Sequence, residues 1–217
     1  MRLLAFDCAF TGHCVALWEN GLVASYDEVE PHAQAARLMP DIERLMAEAG
    51  WSYAGLDAIA CTIGPGSFTG LRIGLATAKG LALAADKPII GIGTLEALAA
   101  GVNKKENEGV VIAVDALREQ VYLQAFDTRI TAMRDAAAVD IPAISFPEMP
   151  CVLAGSGARL LAGIPSHIRP LPEEAARVSA TAMAAHAATQ HKRAIPGIAV
   201  RPIYIRPPDA KPSQKNG

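Results

Sequence analysis

The chain has 217 residues, 51% of them hydrophobic and 19% charged, with a formal net charge of −2. That length supports one large domain or two small lobes, each with a core. The near-neutral charge gives no long-range field toward nucleic acid or anionic membrane and argues against a self-sufficient RNA binder. Aromatics make up only 5%, so the core has to come from Ala, Leu, Ile and Val, and the apolar excess leaves room for a surface covered by a partner. Cys8, Cys14, Cys61 and Cys151 form no CxxC pair and no disulfide spacing, which points to reduced thiols in the cytoplasm. The start, Met1 to Asp7, is too short an apolar run for a signal peptide. Leu71 to Ala85 carries Arg72 and Lys79 and is too short and polar to span a bilayer.

In chain order, Leu3 to Cys8 reads as a buried strand that meets the carboxylate of Asp7. Val15 to Trp18 and Leu22 to Val29 flank Asn20-Gly21, a strong hairpin signal. His32 to Ala49 has helical spacing, with Leu38, Ile42 and Leu45 on one stripe, Pro40 predicting a kink or late start, and Gly50 a stop. Ala58 to Ile63 is a buried strand, followed by the glycine loop Gly64 to Gly70 and a helix over Phe68 to Ala85. Pro88 to Ile92 predicts a short strand, and Thr94 to Ala100 a helix with Thr94 as cap and Glu96 in its first turn.

The polar stretch Gly101 to Gly109 reads as a linker, after which the pattern starts again. Val110 to Asp115 is a strand ending on an aspartate, Gln120 to Phe126 an alternating strand, and Pro150 to Ala154 a third strand. Gly155-Ser156-Gly157 then opens a short helix to Ala162, and Val178 to His191 is an alanine-rich helix. The two halves echo each other, and strands alternating with helices imply parallel pairing. The expected fold is α/β and two-lobed, actin-like or sugar-kinase-like, with duplicated mixed sheets and a reduced second lobe. Residues 1–102 would form the first lobe and 103–194 the second. The segment 195–206 would pack back on the first lobe, and 207–217 would be disordered.

Gly64, Gly66 and Gly70, with Ser67 or Thr69 as helix cap, can present backbone N–H groups to an anion. The loop lacks the lysine of a P-loop, and a tight strand-to-helix turn without ligand is the alternative reading. Asp7 and Asp115 end the first strand of each half, where such a fold would orient metal or water near phosphates, yet no glycine follows either aspartate by two. Gly155 and Gly157 are a weaker phosphate-loop signal. The helix after the glycine loop is rich in small residues, among them Gly70, Gly74, Ala76 and Gly80, so another backbone should approach it closely. None of His13, His32, His167, His186 and His191 has metal spacing, and no nucleophile–base pair is visible, so neither metal nor catalytic residue is expected.

The run Gly64-Pro65-Gly66-Ser67-Phe68-Thr69-Gly70-Leu71-Arg72-Ile73-Gly74, supported by Leu4 to Asp7, Ile90 to Leu95 and Pro202 to Arg206, resembles the TsaB (YeaZ) family. The resemblance spans about Met1 to Arg206. It implies a non-catalytic subunit of the machinery that makes N6-threonylcarbamoyladenosine at position 37 of tRNA. It further implies binding to a TsaD-like transferase through the first two helices, a TsaE-like ATPase as third component, and tRNA contact through the complex. The partner face would then include Leu38, Ile42, Leu45, Leu71, Arg72, Ile73 and Gly74. The resemblance also implies a homodimer when the chain is alone, no peptidase activity, and ATP or ADP, if any, at a subunit interface. The transferase's His-x-x-x-His metal pair would fall here on His32 and Ala36. The chain departs from the family in the second lobe, where Leu117 and Gln120 stand in place of Arg and Glu. The alternative reading is an ATP-dependent small-molecule kinase of the same fold.

Overall fold

A computed structural model describes residues 1–10, 12–30, 33–172 and 177–206. Its first sheet contains β1 (Arg2–Asp7), β2 (His13–Glu19), β3 (Leu22–Glu28), β4 (Ala58–Thr62) and β5 (Ile89–Ile92), in the order β3-β2-β1-β4-β5. The second contains β6 (Gly109–Asp115), β7 (Gln120–Phe126), β8 (Ala137–Asp140), β9 (Cys151–Ala154) and β10 (Ile168–Pro170), in the order β8-β7-β6-β9-β10. Each sheet is an antiparallel three-strand meander joined in parallel to two later strands. The duplicated, mixed two-lobed fold expected from the sequence is therefore present.

Strand alternation decides what each face carries. In β1 and β2, Leu4, Phe6, Val15 and Leu17 point one way. They meet Leu38, Ile42, Leu45 and Met46 of α1 (Gln34–Glu48) and Leu75, Ala78 and Ala82 of α2 (Phe68–Ala85). Leu3, Ala5, Cys14 and Ala16 point the other way. They share a core with α3 (Thr94–Ala100), α4 (Ala180–Thr189) and the inward residues Val110, Ile112 and Val114 of β6. One apolar core thus joins the two sheets through α3 and α4. The far face of the second sheet is closed by single turns and loops carrying Ile141, Ile144, Phe146, Met149 and Leu160, where the first lobe has two long helices. That is the reduction expected of the second lobe.

Several elements depart from the sequence expectation. α1 runs through Pro40, which faces solvent, and His32 lies outside the described residues. Gly93, not Thr94, caps α3, and Glu96 accepts the Gly93 N–H at 3.1 Å. The helix after Gly157 is a single 3-10 turn, Ala158–Leu160. β8 and β10 were not foreseen, being too short to show alternation. α4 follows the second lobe in sequence but packs on β1, β2 and β3, because Ala180, Ala184 and Ala187 let its axis lie close to the small residues Ala5 and Ala16. The predicted disordered tail 207–217 lies outside the described residues. Among the described residues no helix is long and apolar enough to cross a membrane.

The second sheet is pinned by a bidentate ion pair at its base. Arg169 on β10 donates from Nη2 to Glu108 Oε2 at 2.7 Å and from Nε to Oε1 at 3.2 Å. Arg169, aided by the Lys105 amide, lowers the Glu108 carboxyl from 4.5 to about 2. A depressed carboxylate stabilises the fold above its ordinary pKa and loses that stabilisation as pH falls toward the folded value. Melting temperature should therefore drop between about pH 4.5 and 2 more steeply in the native protein than in Glu108→Gln. Equal slopes would mean that this pair does not govern acid stability.

Candidate functional site

The glycine loop packs against the end of β1. A Cβ on Gly70 would lie 1.9 Å from the carbonyl oxygen of Cys8, and one on Gly66 would lie 2.5 Å from that of Ala9. The Ser67 N–H donates to the Ala9 carbonyl at 2.7 Å, and the Ser67 hydroxyl caps α2 by accepting the Gly70 N–H at 3.3 Å. These loop amides are satisfied inside the chain. Thr69 is exposed and is not the cap. Asp7 points inward: its Oδ1 accepts the Ala9 N–H at 2.9 Å and the Thr62 hydroxyl at 2.5 Å. Burial pushes its carboxyl up, and these hydrogen bonds only partly offset that.

The second lobe repeats the device. Gly155 has φ +115°, and a Cβ there would lie 2.0 Å from the Ala113 carbonyl oxygen. Gly157 donates its N–H to that same carbonyl at 2.9 Å, and the Asp115 N–H donates to the Ser156 hydroxyl at 3.1 Å. Asp115 Oδ1 accepts the Leu117 N–H at 2.8 Å, as Asp7 does for Ala9, while Arg159 stands 3.9 Å from Oδ2. Both aspartates therefore cap their own turns. Among the described residues no three His, Cys, Asp or Glu side chains form a group that could hold a metal ion.

Sequence reasoning gave no role to Arg206. Residues 195–206 form a strap along the first lobe. Ile195 bridges Ile89 at the edge of β5, and the Ile203 N–H donates to Ile63 at 2.6 Å. Gly64 (φ +113°) admits the strap, since a Cβ there would lie 2.4 Å from the Ile203 carbonyl oxygen. The strap then crosses to the second lobe. Arg206 donates to the carbonyls of Ala116 at 2.5 Å and Leu117 at 3.3 Å, and to Gln120 Oε1. Leu117, Arg118 and Glu119 all have positive φ, an unusual run. Gln120 thus still serves as acceptor, and its amide also donates to Asp140 at 2.7 Å.

The histidines are largely structural. Buried His13 meets Asp41 at 3.0 Å, and His186 meets Glu96 at 2.8 Å. Burial pushes Glu96 up, but His186 and Arg193 outweigh it and hold the carboxyl below its usual range. Burial likewise raises the thiols of Cys8 and Cys14 and brings Cys61 to about 12, so none is a nucleophile near neutral pH.

The partner face expected from the sequence needs correcting. Leu38, Ile42, Leu45, Leu71 and Gly74 are buried in the chain's own core, and Ile73 is half-buried. A Cβ on Gly74 would meet Cys8 at 3.5 Å, so this glycine serves the sheet. The reason is that the sheet, not a partner, takes up the dense apolar stripe of each helix. What faces outward on α2 is Thr69, Arg72, Ala76, Gly80 and Leu83. Of the predicted interface residues, only Arg72 lies fully on this face. At 100° per residue these five positions fall within one narrow stripe, a signal available once Leu71, Leu75, Ala78 and Ala82 are recognised as the inner side.

The family model described as TsaD: tRNA N6-adenosine threonylcarbamoyltransferase matches residues 28–150. The TsaB biosynthesis protein of Escherichia coli K12 is 41% identical over 123 residues, covering 56% of this chain and 53% of that protein. The chain belongs to the TsaB (YeaZ) family. A crystal structure of a Pseudomonas aeruginosa protein with similarity to peptidase YeaZ superposes with a TM-score of 0.84 at 27% identity, covering 94% of this chain and 99% of that one. A second solved structure, YeaZ from the same organism, gives a TM-score of 0.80 at 25% identity. By sequence, the chain spans about half the length of the curated TsaB relatives it matches. The TsaB likeness of the loop is thus a likeness of packing: the glycines bring α2 onto the β1 turn.

Two glycines of α2 separate its faces. Gly80 has no atom within 4 Å of a would-be Cβ, so Gly80→Ala should stabilise the helix by about 1 kcal/mol. Gly70→Ala should lower stability by more than that, since the added methyl meets the Cys8 carbonyl. Urea unfolding of both variants checks the opposite signs.

Proposed function

We propose that this chain is the non-catalytic, partner-binding subunit of a cytoplasmic assembly that forms N6-threonylcarbamoyladenosine at position 37 of tRNA. It docks a TsaD-like transferase, with a TsaE-like ATPase as third component, and reaches tRNA as part of that complex. One observation carries this reading: α2 keeps an outward stripe that no other described residue covers. Ala76 and Gly80 sit at its centre and Leu83, 86% exposed, at its end. Small residues one turn apart let a second helix axis come close, and an exposed leucine supplies apolar area for it to bury. Beside it on α1, Ala36, Pro40, Glu43 and Ala47 are also exposed. The same face would support an isologous homodimer when the partner is absent.

The inward use of Asp7 and of the loop amides favours a scaffold over a phosphoryl-transfer enzyme. Any ATP or ADP is then placed at a subunit interface. The kinase alternative would need micromolar ATP–Mg²⁺ binding with turnover by the isolated chain.

Mixing the purified chain with its cognate TsaD-like transferase should give one complex on size exclusion. Gly80→Leu and Ala76→Arg should weaken it roughly tenfold or more by overpacking the contact, with little change in melting temperature. Failure of the native protein to form a complex, or indifference of both variants, would sink this reading.

A further inference from the structure

We propose that the rim from the first turn of α2, across the end of the strap, to the turn at 116–119 is a contact surface for an unpaired RNA segment. The Arg72 guanidinium lies 3.8 Å from the Phe68 ring centroid, and the Phe68 ring lies 5.5 Å from that of Tyr204. Two residues on, Arg206 lies 5.8 Å from the Tyr122 ring centroid and holds the Ala116 and Leu117 carbonyls. Arg118 is exposed on that same turn, and Arg159 reaches Asp115 from beside it. Contacts therefore join Arg72, Phe68 and Tyr204 in one group and Arg206 and Tyr122 in a second, two residues further along the strap, with Arg118 and Arg159 at the turn that Arg206 holds.

Phe68 and Tyr204 keep 39% and 45% of their surface open to solvent. Alternating guanidinium groups and open ring faces fit unpaired RNA: bases stack on rings, and guanidinium groups take phosphates. The acids at the rim are Asp115, which faces Arg159 and the Leu117 N–H, Glu119 on the turn, and Asp140, which accepts from the Gln120 amide. The Arg206 bonds fix the turn that carries Arg118, so the rim is preorganised. A chain of net charge −2 cannot attract RNA from a distance, so the rim works as an auxiliary contact, on the order of 10⁻⁴ to 10⁻⁶ M by itself. The choice of RNA as ligand rests on the tRNA-directed reading above.

The test is fluorescence anisotropy of a labelled RNA stem–loop, titrated at several salt concentrations. It uses the full-length chain alone and mixed with its TsaD-like transferase. Tyr204→Ala should weaken binding roughly tenfold, whereas Tyr204→Phe, which keeps the stacking face, should stay near native affinity. Arg118→Ala should flatten the slope of log affinity against log salt by about 0.7, a change that a purely structural role would not produce. Unchanged affinity and slope in Tyr204→Ala and Arg118→Ala would overturn the proposal, as would equally tight binding of a blunt RNA duplex. Loss of transferase binding with RNA affinity intact would make the rim a protein contact and overturn it too. Co-elution of the native proteins tests the subunit reading separately, and the measurement on the chain alone decides the rim in either case.

Discussion

In each lobe a glycine of the loop meets the backbone of the first strand or its turn, and the rest of the molecule is arranged around these contacts. Gly70 lies against the Cys8 carbonyl and Gly155 against that of Ala113, both with no room for a Cβ. The first contact seats the loop after β4 on the turn after β1, and the second seats the loop after β9 on the last residues of β6. The Ser67 and Gly70 amides are taken up by the chain's own oxygens, and Asp7 and Asp115 each accept an N–H of their own turn. Asp7 is enclosed by the chain's own atoms, and the Ala9 N–H and Thr62 hydroxyl offset part of the cost of burying its carboxyl.

Seating the loop also sets the rotation of α2. Ser67 starts the helix, Gly70 touches Cys8, and Gly74 comes round one turn later beside the Cys8 side chain. With that phase fixed, Leu71, Leu75, Ala78 and Ala82 face inward, and Arg72, Ala76, Gly80 and Leu83 must face outward. A helix apolar nearly all round would otherwise have several equivalent ways to lie on the sheet. The glycine loop thus acts at a distance: it decides which small residues are offered to a partner.

This is also why the fold was readable from the sequence while the interface was not. Hairpin signals such as Asn20-Gly21, buried runs ending on Asp7 and Asp115, and the repeated strand–loop–helix order are local features, and they specify the two lobes. Gly74 and Gly80 are the same residue in the same helix, and only the position of the sheet tells them apart. On α1 the stripe Leu38, Ile42 and Leu45 has the periodicity of any amphipathic helix, and periodicity does not say whether a sheet or a second protein covers it. Arg206 was less accessible still. Its acceptors on Ala116, Leu117 and Gln120 lie far away in sequence, and a strap without regular structure carries no period to read.

The strap completes what α3 and α4 begin. A single core joins the two sheets through those helices, and Arg206 adds a polar clamp at the strand ends. Two residues separate Ile203 on the first lobe from Arg206 on the second, a span of roughly 10 Å over three steps at full extension. Opening the lobes would break the Arg206 bonds and expose shared apolar core, whereas enzymes that clasp a nucleotide depend on such opening. Rigidity suits a docking subunit, because a surface held in its bound form loses less entropy on association. In the proposed docking role, the contacts that hold the lobes together would keep the outer side of α2 in a single form.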